Sequence, residues 1–168
     1  EFTGFLNDRL RGFYRSRYTD QEGKERYIAS TQFEATDARR AIPCWDEPTY
    51  KSIFEVTLIV SPDLMAASNM PVAIEESLPD GRKSVRFVPS PLMSTYLLAF
   101  VVGDICNIEQ RAENGTLVRI WAIRGKEEQG RFALETSVRL LSYFNDYFGV
   151  PYPLEKLDHF AIPDFAAG

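Results

Sequence analysis

Seven prolines between residues 43 and 91 (Pro43, Pro48, Pro62, Pro71, Pro79, Pro89 and Pro91) rule out a long helix across that stretch. Proline has no amide hydrogen to give to a helix, and its ring collides with the preceding turn. What remains between the prolines is short and extended. In Ile53 to Val60, Phe54, Val56, Leu58 and Val60 alternate with Glu55 and Thr57, which predicts a strand with the apolar set turned inward. Ser84 to Val88 predicts a second strand, with Val85 and Phe87 inward. Tyr96 to Val102 is apolar throughout and reads as a strand covered on both faces. Upstream, Leu10 to Tyr18 and Glu25 to Glu34 flank a turn-rich Thr19 to Lys24 containing Gly23, the pattern of a hairpin. Short strands at this spacing point to an antiparallel β-sandwich or a curved sheet.

The pattern changes after Gly103. Asn114-Gly115 between Ile105–Arg111 and Thr116–Ile123 predicts a hairpin turn. A long helix is expected over about residues 126–148. Leu134, Val138, Leu141 and Phe148 form its apolar stripe, widened by Leu140, Phe144 and Tyr147. Gly149 and Pro151 stop it. A last strand is expected over Lys156 to Ile162. These signals place a boundary near residue 104, between a β-domain over 1–104 and an α/β segment over 105–168.

Composition removes several function classes. With 19 Lys and Arg against 24 Asp and Glu, the net charge is −5, so the basic surplus of a nucleic-acid binder is missing. No run approaches the roughly 18 apolar residues of a membrane-spanning helix. Glu1-Phe2-Thr3-Gly4 does not read as a signal peptide. Cys44 and Cys106 are the only cysteines and His159 the only histidine. His-Glu-x-x-His is therefore impossible within this sequence, and neither Gly-x-Ser-x-Gly nor a phosphate-cradling loop occurs. No complete catalytic constellation is present. Both ends, Glu1-Phe2-Thr3-Gly4 and Asp164-Phe165-Ala166-Ala167-Gly168, read as cut from a longer chain.

The densest unusual segment is Thr31 to Pro48. On a strand, residues i and i+2 share a face, so Gln32 and Glu34 would project together while Phe33 turns away. A carboxylate beside an amide can hold an ammonium group by charge-assisted hydrogen bonds. Taken on spacing alone, the same pair also fits the solvent face of an ordinary strand. Asp37, Arg39, Arg40, Asp46 and Glu47 read as a salt-bridged turn, and Cys44 and Trp45 as core. Asn114-Gly115-Thr116 matches an N-glycosylation acceptor, and His159 reads as a structural or surface residue.

Thr31 to Pro48, Leu6 to Ser16, Met93 to Gly103, Gly149 to Leu154 and Ile162 to Gly168 together resemble the gluzincin-type zinc aminopeptidases, in order and over essentially the whole chain. The resemblance implies a large multidomain enzyme. Its N-terminal domain would be a saddle-like antiparallel β-sandwich whose first strands precede Glu1. It would be followed by the first strands and helix of an α/β thermolysin-like catalytic domain. Gly168 would be the first residue of the family's Gly-Ala-Met-Glu-Asn motif, with the zinc ligands further on. One zinc ion is thus expected as cofactor, bound by residues downstream of this chain. Glu34 would bind the substrate's free α-ammonium and Gln32 would line the pocket for its first side chain. Ala167 and Gly168 would lie along the substrate backbone. The expected partners are peptides with a free amino terminus and the remaining domains of the same polypeptide. The expected location is cytoplasmic, with a secreted or membrane-anchored form as the alternative. The competing function is a non-catalytic β-domain interaction module.

Overall fold

The first hairpin stands where the sequence puts it in the computed structural model, which describes residues 1–166. Strand β1 (Gly12–Thr19) pairs antiparallel with β2 (Glu25–Gln32) across a turn in which the Gly23 N–H donates to the Asp20 carbonyl at 3.1 Å. Strands β3 (Lys51–Ser52), β4 (Thr57–Val60), β5 (Met65–Ser68), β6 (Val72–Ser77), β7 (Lys83–Phe87), β8 (Met93–Ser94) and β9 (Phe100–Gly103) follow. β9 lies between β2 and β5, which gives a sheet of order β1-β2-β9-β5. β4-β7-β6 form a second sheet, and β3 pairs with β8. Ala66 of β5 and Val102 of β9 pack against Val85, Phe87, Leu58 and Val60 of the second sheet, so the two sheets share one apolar layer. This is the antiparallel β-sandwich expected for the first part of the chain.

Three local expectations are corrected. The alternation of Phe54, Val56, Leu58 and Val60 does turn those side chains inward, but the strand covers only Thr57–Val60. Ahead of it the backbone is held singly: the Phe54 N–H donates to Ser90 Oγ at 2.9 Å and the Phe87 N–H to the Val56 carbonyl at 3.0 Å. In Tyr96 to Val102, Thr95–Leu97 is a 3₁₀ turn, Leu97 is exposed, and the strand begins only at Phe100. Trp45 is 78% exposed and is not part of the core.

The residues fall into two units: Glu1–Asp104 together with the described residues from Ile162 onward, and Ile105–Ala161. In the second unit β10 (Ile105–Arg111) pairs antiparallel with β11 (Leu117–Ile123), and β11 pairs parallel with β12 (Lys156–Phe160). At the hairpin tip Gly115 has φ 87°, a conformation that needs no Cβ, and its N–H donates to the Ala112 carbonyl at 2.9 Å. The crossover to β12 is made by helix α1 (Arg131–Phe148), preceded by a 3₁₀ turn over Glu127–Gly130 and ended by Gly149 in the left-handed region. Leu134 and Leu141, with Val138 between them, pack on Ile108, Val118 and Ile120. The covered part of the stripe ends at Leu141. Leu140, Phe144, Tyr147 and Phe148 are exposed, contrary to expectation, because the three strands offer nothing to cover the last turns of the helix. Among the described residues no helix is long and apolar enough to cross a membrane.

Candidate functional site

Gln32 closes β2, and that end of the strand is pinned from both sides. Across the hairpin its partner is Gly12. Gly12 has φ 68°, and a Cβ there would come within 3.1 Å of the Arg40 Cβ, so a side chain at this position would be strained and would crowd Arg40. On the other side the ladder to β9 stops at Ser30, but the Phe100 N–H donates to Thr31 Oγ1 at 3.0 Å and holds the strand for one more step. Phe33, next in sequence, is buried among Ala38, Leu98, Ile42 and Phe100. Its ring meets Phe100 edge-on, with centroids 6.2 Å apart.

The strand ends there. The Asp37 N–H donates to the Phe33 carbonyl at 2.8 Å and closes a turn that leads into a 3₁₀ segment at Ala38–Arg40. Glu34 therefore lies in the turn and not on the strand, which corrects the argument that put it on one strand face with Gln32. The turn is anchored at both ends, by Phe33 before it and the fully buried Ala38 after it, while Glu34 between them is exposed. Gln32 is half-buried. Among the described residues Glu34 has no ion-pair partner. Its carboxylate is free to take a cation from outside. The Glu34–Ala35 peptide bond is cis. Ala167 and Gly168, the other two expected site residues, lie outside the described residues.

The charges downstream hold this segment in place. Asp46 is buried and accepts from the Arg39 N–H at 3.0 Å, Arg39 Nε at 3.1 Å and Thr95 Oγ1 at 2.6 Å. Burial alone would push its carboxyl up, but the bonds from Thr95 and Arg39 outweigh that and hold it below the usual carboxylate range. Arg40 pairs with Asp37. With Asp46 turned inward, Trp45 projects to solvent, while Cys44 stays half-buried against the Phe33 cluster. Burial raises the Cys44 thiol, with Asp46 adding to the shift. Asn114 is exposed at the β10–β11 tip and accepts the Thr116 N–H at 3.2 Å. His159 is exposed on β12.

Among the described residues two clefts lie away from the Phe33 turn and are not lined by Gln32 or Glu34. One of about 470 Å³ runs along β1 between Arg15, Arg17, Tyr27 and Asp164. The other, of about 560 Å³, lies between the β10–β11 tip and the end of α1. Sequence reasoning assigned no role to Asp164, whose partners Tyr14 and Ser16 lie nearly 150 positions away.

Residues 1–97 match the Peptidase M1 N-terminal domain, and residues 132–168 match the Peptidase family M1 domain. Among curated relatives, the chain is similar to Aminopeptidase M1-B of Oryza sativa subsp. japonica, at 55% identity over 100% of this chain and 19% of that protein. It is similar to the puromycin-sensitive aminopeptidase of Caenorhabditis elegans at 50% identity, over 100% of this chain and 18% of that protein. A third relative, Aminopeptidase M1 of Arabidopsis thaliana, is 50% identical over 99% of this chain and 19% of its own length. The chain thus spans about a fifth of the length of these relatives.

Proposed function

The chain belongs to the M1 peptidase family, and from that premise we propose that it is part of a zinc-dependent aminopeptidase that removes single residues from peptides with a free amino terminus. In this reading residues 1–104 belong to the N-terminal β-sandwich domain, and residues 105–168 begin the catalytic domain. The family matches over 1–97 and 132–168 support that division. The names of the relatives, all aminopeptidases, support the activity. Among the described residues no three His, Cys, Asp or Glu side chains cluster to hold a metal ion. The zinc, which supplies Lewis-acid chemistry when bound, belongs to residues of the parent outside this chain. We place the parent in the cytoplasm, on the family resemblance and on two cysteines that are both free.

The observation that carries the proposal is Glu34, an exposed carboxylate with no ion-pair partner among the described residues, held on a turn anchored at both ends two residues beyond a pinned strand. A free α-ammonium supplies the missing charge partner. It donates charge-assisted hydrogen bonds to the carboxylate, while the Gln32 amide meets the first side chain. A blocked amino terminus cannot pair with Glu34, and the unpaired charge, closed off from water by the bound peptide, costs several kcal/mol in principle. The carboxylate therefore sets the register from which a peptide is cut.

Glu34→Ala in the full-length enzyme is expected to lower transition-state binding by roughly 2–4 kcal/mol, read from kcat/KM for a simple aminoacyl substrate. Gln32 substitutions are expected to change the preference among first side chains. Steady-state kinetics over a panel of aminoacyl arylamides tests both. An unchanged specificity constant for Glu34→Ala, or an identical preference profile for the Gln32 variants, overturns the corresponding role.

A further inference from the structure

Glu34 has no ion pair of its own among the described residues, so its place depends on the turn of backbone that carries it. Phe33 fixes the near end of that turn by burial. The far end, Asp37 to Arg40, has a polar anchor besides the buried Ala38. Asp46 lies seven positions beyond Arg39 and is buried. Its Oδ2 accepts from the Arg39 N–H at 3.0 Å and from Arg39 Nε at 3.1 Å, and its carbonyl accepts from Arg39 Nη2 at 2.7 Å. The backbone bond matters most. A side-chain pair alone would leave the main chain free to shift, whereas the bond from the Arg39 N–H fixes the main chain itself, one residue after Ala38.

The other carboxylate oxygen serves a different part of the chain. Oδ1 accepts from Thr95 Oγ1 at 2.6 Å, across 49 positions. Thr95 is buried and opens the 3₁₀ turn Thr95–Leu97, and the Leu98 N–H donates back to the Thr95 carbonyl at 3.1 Å. Ser94 Oγ donates to the Pro48 carbonyl at 2.9 Å, a second tie between the same two segments. Both stretches that Asp46 joins pack on Phe33 through a buried residue, Ala38 on one and Leu98 on the other. A carboxylate suits this place because its two oxygens accept in different directions, and bonds to a charged acceptor are the stronger kind.

We propose that Asp46 is a positioning residue for the carboxylate that recognises the substrate's amino group: by bridging Arg39 and Thr95 it holds the turn from Phe33 to Asp37 in one place, and Glu34 with it. This rests on the role proposed above for Glu34 and deepens it. Asp46 itself touches no substrate. An ammonium–carboxylate hydrogen bond spans about 2.7–2.9 Å, so a turn that drifts by about 1 Å loses it. In the sequence Asp46 is one of five charges in a turn, and its neighbour Glu47 has the same chemistry; Glu47 is exposed, and only Asp46 faces inward onto Arg39 and Thr95.

The test uses the full-length enzyme and two competitive inhibitors of one carbon skeleton: leucine hydroxamate, and the hydroxamate of 4-methylpentanoic acid, which lacks the amino group. The hydroxamate is common to both and cancels in the ratio of their Ki values, which reads what the amino group contributes. The ratio does not depend on how much of a variant is folded, so a merely structural role leaves it unmoved. Glu34→Ala is expected to remove most of the wild-type ratio. Asp46→Ala is expected to shrink it roughly tenfold. Thr95→Val removes one hydroxyl at nearly constant volume, so it carries the test even where Asp46→Ala fails to fold; it is expected to shrink the ratio by about threefold or more. The Glu34→Ala/Thr95→Val pair is expected to show the same ratio as Glu34→Ala alone, since a carboxylate that is gone cannot be misplaced. A wild-type ratio in Thr95→Val, or a pair that falls well below Glu34→Ala, overturns the positioning role and leaves that of Glu34 standing. An unchanged ratio in Glu34→Ala overturns the substrate-recognition reading, and the positioning role with it.

Discussion

Asp158 accepts Arg119 Nε at 2.6 Å and Nη2 at 2.9 Å and pairs with Lys156 beside it, its side chain only 4% exposed. Burial would raise its carboxyl, but the Arg119 bonds and the Lys156 charge hold it below the usual range; the Lys156 ammonium is pulled down by its own burial against the attraction of Asp158. The two cations are not equivalent. Removing the shared anion takes one buried carboxylate from two cations at once, whereas removing Lys156 leaves a bidentate pair intact. Asp158→Asn is therefore expected to cost about 3–5 kcal/mol, and Lys156→Met at most about half of that. Hydrogen exchange in peptides covering Leu117–Ile123 and Lys156–Phe160 measures both, and equal losses sink the distinction. None of this triad was legible in the sequence, because Arg119 and Asp158 meet only through the parallel pairing of β11 with β12. Trp45 shows the same limit from the other side. Its apolar character suggested core, but the neighbouring Asp46 carboxylate has the inward-pointing partners. The Gln32–Glu34 pair was found by residue type, and the turn at Phe33 that separates them was not.

At the scale of elements, the hairpins were readable because glycine marks both turns, and the end of α1 because Gly149 terminates it. β5 and β6 carried no such signal: after Met65 the strand Met65–Ser68 holds only Ala, Ala and Ser, and Val72–Ser77 is exposed along its whole length, so neither alternates. Tyr96 to Val102 misled because an apolar run does not reveal that Thr95 bonds Asp46 and that the Leu98 N–H turns back to the Thr95 carbonyl at 3.1 Å. The start of α1 carries a consequence of opposite sign to propensity. Replacing glycine by alanine in a helix usually gains roughly 0.5–1 kcal/mol. At Gly130 a Cβ would fall 2.6 Å from Ile120 Cγ2 and 3.2 Å from Ile120 Cβ, and Ile120 is a β-branched core residue 4% exposed. Gly130→Ala is expected to destabilise the unit by about 1–3 kcal/mol, the usual cost of overpacking. A thermal melt showing equal or greater stability would overturn this account of how closely the helix entry approaches β11.

Over the whole molecule, each unit has its own buried carboxylate held below the ordinary range, Asp46 in the first and Asp158 in the second. Asp20, Glu25, Asp80 and Glu127 are shifted the same way but sit at the surface, where solvent screens them, so they contribute little to a pH-dependent stability. The sign follows from proton binding. Between the depressed folded pKa and the unfolded value of about 3.9, the unfolded chain holds more protons than the folded one, so stability rises with pH there and is complete above it. Stability is thus expected to be flat from neutrality to about pH 5 and to fall as the pH drops through about 4. Lys156 lies outside this window, since a lowered ammonium pKa acts on the alkaline side. Asp46→Asn and Asp158→Asn each replace a group that must take up a proton with one that cannot. Each is expected to start from a lower stability at neutral pH and to show a shallower acid limb, with the double variant the shallowest. Thermal melts followed by circular dichroism between pH 7 and 2.5 read the slopes directly. Variants that lose stability at neutral pH yet keep the full wild-type acid slope would mean that the acid response comes from the surface carboxylates, and raising the salt concentration would then flatten it where the two substitutions had not.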